Sequence, residues 1–285
     1  MEQTRNADAP DGGGADGTGS AGGRDGLLEH PLSARSVMAS LLLGMHPPRL
    51  RGSLLVRWCA LFGISEGTAR VALHRMAARG EVVADNGAYA LAGALAARQR
   101  VQDWSLAPVV LPWHGDWRLA VVTEGARGAS DRRALRDAMR RLRFVDLREG
   151  VWLRPDNLPR EAAPVAATTV AVDQCHFFSA RPGADERDAL VSRFDPQGWV
   201  TRALDVTARL VQTTGAIDRG DDRMLASGFV TGAAALAHIR ADPLLPDELL
   251  PTPWPGESLR AAYHAYQSTF ADATARWFTR AIGND

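Results

Sequence analysis

Apolar positions recur at three- and four-residue spacing through much of the chain, and the places where that rhythm breaks divide it into parts. The stretch "HPLSARSVMASLLLGM" reads as a helix, and Pro47 and Pro48 punctuate the chain just after it. Leu54 to Leu61 forms a short apolar run, Gly63 permits a sharp turn, and Ser65 stands where an N-cap accepts the first free amide hydrogens of the next helix. In that next helix Ala69, Leu73 and Met76, with Ala72 beside them, make a buried stripe. The opposite side carries Gly67, Thr68, Arg70, Val71, His74 and Arg75. Gly80 ends the helix, and "EVVADNGAYAL" alternates about an Asp85-Asn86-Gly87 turn as a minimal β-hairpin does. Helix, turn, helix, hairpin is the order of a winged helix-turn-helix.

A period of two opens at "WHGDWRLAVVTEG", which predicts a strand from Trp117 to Val122. A charged helix, "SDRRALRDAMRRLRF", comes next, then two short strands around "VDLREGVWLRP" and a last strand in "CHFFSARP". This is the outline of a ferredoxin-like α/β sandwich. From about residue 185 the segments are helical, interrupted by the proline-rich "DPLLPDELLPTPWPG". The predicted fold class is therefore α+β and multidomain, with a winged helix-turn-helix at 31–101, a ferredoxin-like middle domain at 102–184 and a helical C-terminal domain at 185–285. Residues 1–30 include "DAPDGGGADGTGSAGGRDG", which has almost nothing to bury and reads as a disordered Gly-rich tail.

Composition narrows this picture. The chain has 285 residues, 46% of them apolar, and a mean hydropathy of −0.17, in the range of a soluble globular protein. No apolar window is long enough to span a membrane and no signal peptide is visible, so a cytoplasmic protein without a membrane partner is expected. Cys59 and Cys175 lie far apart among apolar neighbours and read as buried free thiols; no metal site or cofactor is expected.

The net charge of zero hides an asymmetry. Residues 31–100 hold 9 arginines against 3 acids, whereas residues 185–285 hold 10 against 14. All 33 basic residues are arginine. Local positive excess is what a phosphate-facing surface requires, and a solvated basic face with no partner has the same composition. A core helix does not need two arginines and a histidine on one side; a helix reading a DNA groove needs small or polar residues near its N-terminus with cations around them. Ser65, Thr68, Arg70, Val71, His74 and Arg75 are the candidates for that role, with Arg35, Arg49 and Arg51 as further phosphate contacts. A winged helix used for protein contact is the alternative.

These motifs together resemble a known family. "ARSVMASLLLG", "FGISEGTARVALHRMAARGEV", "WHGDWRLAVV" before an arginine-rich helix, "GVWLRP", and "DPLLPDELLPTPWPG" before an aromatic helix fall in the order expected of PaaX-type repressors of phenylacetate catabolism. The resemblance spans about residues 32 to 278 and implies a homodimer on double-stranded DNA with an inverted-repeat operator. It also implies release by an aryl-CoA thioester such as phenylacetyl-CoA, and a middle domain like the small CRISPR adaptation nuclease. Ser65, Thr68, Arg70, His74 and Arg75 fall on the family's recognition-helix motif. The chain departs from the pattern at "REAAPVAATTVAVDQ", which is rich in β-branched residues, carries Pro164 and is too poor for a long helix.

An acyl-CoA effector would need an apolar wall beside cations. Trp113 serves as a ligand wall or as core packing. Arg136 and Arg140, with Arg132, Arg133, Arg141 and Arg143 crowding the same helix, hold CoA phosphates or form a solvated face, and His238, Arg240, Trp254, Tyr263, His264 and Tyr266 line a pocket or pack helices. An enzyme is not expected. Glu124 is the one acid near the end of the first middle-domain strand, thin support for a metal-dependent nuclease, and no nucleophile elbow, Walker loop or zinc-protease motif occurs.

Overall fold

The computed structural model describes residues 32–123, 128–221 and 223–283. The tail expected over residues 1–30 and Glu124 lie outside the described residues. The fold is α+β, with ten α-helices and two small antiparallel sheets among the described residues.

The first part begins with α1 (Ala34–Leu43), whose N-cap Ser33 accepts from the Ser36 amide. A three-residue strand, β1 (Arg49–Arg51), leads into α2 (Gly52–Ala60). Gly63, with φ of 71°, makes the turn to α3 (Glu66–Ala78). The end of α3 is held by the Gly80 and Glu81 amides, which donate to the Ala77 and Met76 carbonyls, with Gly80 in the left-handed region that its missing Cβ permits. Strands β2 (Val82–Asp85) and β3 (Ala88–Leu91) are joined through Asn86 and Gly87, both at positive φ, the geometry of a primed hairpin turn. The sheet order is β1-β3-β2, so the hairpin gains a third strand that the sequence pattern does not reveal. Three residues between a proline pair and a helix carry no readable period. α4 (Gly93–Leu106) then crosses residue 102, the expected boundary, without a break.

The middle part runs β4 (Trp117–Val122), α5 (Ala129–Arg141), β5 (Val145–Arg148), β6 (Val151–Pro155), α6 (Val165–Gln174) and β7 (Cys175–Ala180). The strands lie in the order β5-β6-β4-β7, and all neighbours are antiparallel. Leu135, Met139 and Ala171 from the two helices pack on Ala120 and Cys175. The stretch that the sequence marks as too poor for a long helix forms a short one, of ten residues, so the second helix of the middle part is present. Pro164 sits at its N-cap, where the missing amide costs nothing, and Ala167 and Ala171 make a four-spaced buried seam while Val165 and Val172 stay exposed. α7 (Ala184–Ser192) and the loop after it bring Leu190, Val191 and Phe194 to the opposite face of the sheet. There Trp117 and Leu153 also meet Leu245 and Leu249 of the proline-rich segment.

The last part contains α8 (Pro196–Asp218), α9 (Met224–Arg240) and α10 (Gly256–Gly283). Its core is continuous with that of the first part. Trp58 of α2 is fully buried, with the rings of Phe62, Phe229, Phe270, Trp277 and Phe278 at 5.6 to 6.1 Å. Arg57 donates to the Ala281 carbonyl, tying the end of α10 to α2. No helix among the described residues is long and apolar enough to cross a membrane.

Candidate nucleic-acid interface and ligand cavities

α3 is packed on one side only. Ala69, Leu73 and Met76 are buried against α1 and α2, as their spacing requires. Gly67, Thr68, Arg70, Val71, His74 and Arg75 are exposed, and Val71 keeps 51% of its surface. An exposed valine between cations is an apolar contact surface open to the outside. Ser65 caps the helix: its Oγ accepts from the Thr68 amide at 3.3 Å and lies 2.9 Å from Thr68 Oγ1.

Two surface grooves flank this face. One brings Arg35, Arg75 and Arg79 beside Thr68 and Val71; the other brings Arg51, Arg57 and Arg70 beside Glu66. The arginines differ in how far they are already committed. Arg35 makes a two-nitrogen contact with Glu81 at 2.8 and 2.9 Å, and that hydrogen bonding holds its guanidinium above its ordinary value. Arg49 reaches Asp85 at 2.7 Å across the hairpin. Arg70 is bonded to Glu66 one turn earlier, with its Nε at 2.8 Å. Arg51 and Arg75 make no ion pair among the described residues, so their charge is available to an outside anion.

The candidate ligand residues separate into three groups. Trp113 packs edge-on against Trp117 at 6.3 Å and donates its indole hydrogen to the Asp116 carbonyl at 2.7 Å. His238, Trp199 and Trp254 form a stack, with centroid spacings of 4.7 and 4.3 Å, and His238 Nε2 lies 3.0 Å from the Trp199 carbonyl. Burial pulls the His238 pKa below its ordinary value, although the Trp199 bond opposes this. These residues are inside helix packing. Arg136, Arg140 and His264 are exposed and line neither of the two interior cavities.

Arg240 and Tyr263 do meet in a cavity of about 330 Å³, between α1, α4, α9 and α10. Its walls include Leu43, Phe229, Leu236, Tyr266, Phe270 and Phe278, with Arg98 and Arg240 as its cations. Burial pushes the Tyr263 phenol up, which keeps it neutral. Thr274 Oγ1, also on the lining, is buried without a hydrogen-bond partner. Three of these residues, Arg240, Tyr263 and Tyr266, are legible in the sequence because aromatic and cationic types cluster near the proline-rich loop. The α1 and α4 contributions are not, since only the packing brings them together.

A second, smaller cleft of about 100 Å³ lies mainly in the middle part, where Arg118, Arg141, Arg143, Arg154 and Arg160 line it together with apolar side chains such as Phe144, Val172 and Phe177, and Trp104 of α4. Arg141 and Arg143 belong to the arginine-rich segment that the sequence offers to CoA phosphates; Arg118, Arg154 and Arg160, which come from two strands and a loop, are not marked by any sequence pattern.

The geometry defines a class: an α+β protein whose first part presents a bare, cation-flanked helix and whose last part shares that module's core and encloses an apolar cavity against it. Comparison with known proteins makes this particular. Three successive family models match, described as PaaX-like protein over residues 33–95, the PaaX protein central Cas2-like domain over residues 111–191, and the PaaX-like protein C-terminal domain over residues 222–280. The chain belongs to the PaaX family, whose members are regulators rather than enzymes, and membership suggests a transcriptional regulator of phenylacetate catabolism. Among solved structures, the uncharacterized protein Rv0674 from Mycobacterium tuberculosis is 39% identical, with a TM-score of 0.64 over 86% of this chain and 98% of that one. No curated protein matches the chain significantly.

Proposed function

We propose that the protein is a DNA-binding transcriptional regulator, a homodimeric repressor acting in the cytoplasm and released from an inverted-repeat operator by an acyl-CoA effector, with phenylacetyl-CoA as the family's type ligand. The observation that carries this reading is the outer face of α3, where Arg70, Val71, His74 and Arg75 are exposed on a well-capped helix, Arg70 paired only with Glu66 of the same helix. We assign residues 32–91 to a winged helix-turn-helix and the β4–β7 sheet with α5 and α6 to a ferredoxin-like unit. The order β5-β6-β4-β7 supports the second assignment.

In this reading α3 enters the major groove, Arg51 and Arg75 contact phosphates, and Arg70, Val71 and His74 face base edges. Thr68 and Ser65 place the helix N-terminus, whose free amides and dipole favour a phosphate. Arg35 and Arg49 reach phosphate only by sharing with Glu81 and Asp85, so their contribution is the smaller one. The wing has Asn86-Gly87 at its tip and no unpaired cation there among the described residues, so its groove contact is minor.

The cavity between α1 and the C-terminal helices suits the apolar acyl end of the effector. A ligand filling it acts on DNA binding only as far as it prefers one placement of α1, and with it α3, over another. The nuclease alternative is not favoured by a family of regulators.

Mobility shifts on the DNA flanking the gene test this, with and without phenylacetyl-CoA and a panel of other acyl-CoA thioesters. The expected result is a specific complex dissolved by one thioester. Arg70→Ala should cost about 1–3 kcal/mol on the specific site alone, whereas Arg75→Ala should weaken all sequences and lower the salt slope by about 1. Absence of a specific complex at moderate salt would refute the reading.

A further inference from the structure

The small cleft of the middle part holds five arginines and one acid, Asp156. Its construction works against itself electrostatically unless something anionic completes it. Arg118 on β4 and Arg154 on β6 are direct antiparallel partners, so two like charges leave the same face of the sheet about 5 Å apart at their Cβ atoms, an arrangement that costs stability. Arg118 lies over the Phe177 ring, with its guanidinium carbon 4.4 Å from the ring centre. Arg154 is buried, and its donors go to neutral oxygens: Pro155 at 2.8 Å, Leu142 at 3.2 Å and Asn157 Oδ1 at 2.8 Å.

Arg143 adds a second anomaly. It comes after α5 with φ of 63°, in the left-handed region where glycine is the favoured residue. A side chain placed there against backbone preference points to use of that side chain. Its guanidinium donates to the Arg240 carbonyl and lies 6.0 Å over the Trp104 ring, yet its Nε is buried with no hydrogen-bond partner. Burial holds Arg143 at about 10, where Asp242 opposes and Arg240 and Arg260 add to the depression. Burial likewise holds Arg154 at about 9, where Asp156 opposes and Arg118 and Arg143 add. Arg118 and Arg160 make no ion pair among the described residues. A purely structural role accounts for the bonds of Arg154 but not for gathering four further cations around it.

We infer that this cleft is a binding site for a small phosphate-bearing ligand, whose anionic oxygens lie among Arg118, Arg143, Arg154 and Arg160. Guanidinium forks match phosphate oxygens, and a cleft of about 100 Å³ admits a phosphoryl group but not a duplex backbone with its sugars. The ligand's phosphate comes from an inorganic anion or from a nucleotide. The inference stands apart from the DNA-binding reading, because it concerns another part of the chain and no residue of α3.

Isothermal titration of the full chain, in a phosphate-free buffer at low salt, tests it with three probes: inorganic pyrophosphate, ADP and a random-sequence duplex. Arg160→Glu reverses an exposed charge at the cleft mouth, and Arg118→Gln removes one from the sheet; circular dichroism confirms that both variants fold. At least one small probe should bind the wild-type chain and lose tenfold or more in affinity in both variants. Pyrophosphate binding as tightly as ADP identifies an inorganic site, and ADP binding more tightly identifies a nucleotide site. The proposal is overturned if neither small probe binds at millimolar concentration, or if the variants bind unchanged. It is equally overturned if Arg160→Glu weakens only the duplex.

Discussion

Trp58→Ala probes whether the first and last parts of the chain fold as one body. The indole is fully buried and meets five aromatic rings, four of them, Phe229, Phe270, Trp277 and Phe278, from α9 and α10. Truncating a buried tryptophan to alanine costs about 3–5 kcal/mol from lost transfer energy and the cavity left behind. Part of that sum is the edge-to-face pairs, each worth about 0.5–1.5 kcal/mol. Against a total stability of about 5–15 kcal/mol, this is a large share. In urea the midpoint should fall by about 1 M or more with little change in slope. Hydrogen exchange should rise together in peptides from α2, α9 and α10, because the ring cluster belongs to both parts. Trp58→Phe is the control. The Trp58 Nε1 hydrogen has no partner, so phenylalanine removes an unsatisfied donor while keeping most of the packing, and its cost should stay below about 1.5 kcal/mol. A loss under about 1 kcal/mol in Trp58→Ala, or faster exchange confined to α1–α3, refutes the shared-core reasoning.

Buried groups supply three further tests. His238 has its pKa lowered by burial, so the folded state resists protonation that the unfolded chain accepts. Its stabilising contribution is complete above the ordinary value of 6.5 and is lost as pH falls through the lowered one. Urea midpoints of wild type and His238→Gln, taken between about pH 7.5 and 5, should therefore converge as pH falls; parallel curves would contradict this. Arg260→Ala leaves Asp242, only 2% exposed, without the guanidinium that holds it at 2.7 Å, and should destabilise by about 3–5 kcal/mol in a melt at neutral pH. Arg260→Ala combined with Asp242→Asn should recover part of that loss. Cys59 is fully buried and its thiol is pushed up to about 11, so it should react with a disulfide reagent at mildly alkaline pH only in denaturant; rapid labelling of the native chain at Cys59 would show an opening that the packing does not provide.

Much of the architecture was legible in local pattern. The three- and four-residue spacing of Ala69, Leu73 and Met76 marked both the existence of α3 and the side that is buried, because a helix repeats about every 3.6 residues whatever it packs against. Ser65, Gly63 and the Asn86-Gly87 turn were readable for the same reason: their roles are set by dihedral angles and hydrogen bonds within a few residues. α6 was harder. Its β-branched composition argues against a helix, and what stabilises it is the Ala167–Ala171 seam against α5, a contact outside the segment.

Propensity, capping and periodicity act over a few residues, so sequence alone sets the elements and the side that each must bury. Which charges are spent and which remain is a matter of tertiary packing. Arg35 and Arg49 look like Arg75 in the sequence, but chain reversal brings Glu81 and Asp85 to them and leaves Arg75 without such a partner among the described residues. The two cavities arise in the same way. Arg118, Arg143, Arg154 and Arg160 are spread over more than forty positions, and α1 stands nearly two hundred residues before α9. Contacts at such separations depend on how the elements pack, and no local pattern encodes them.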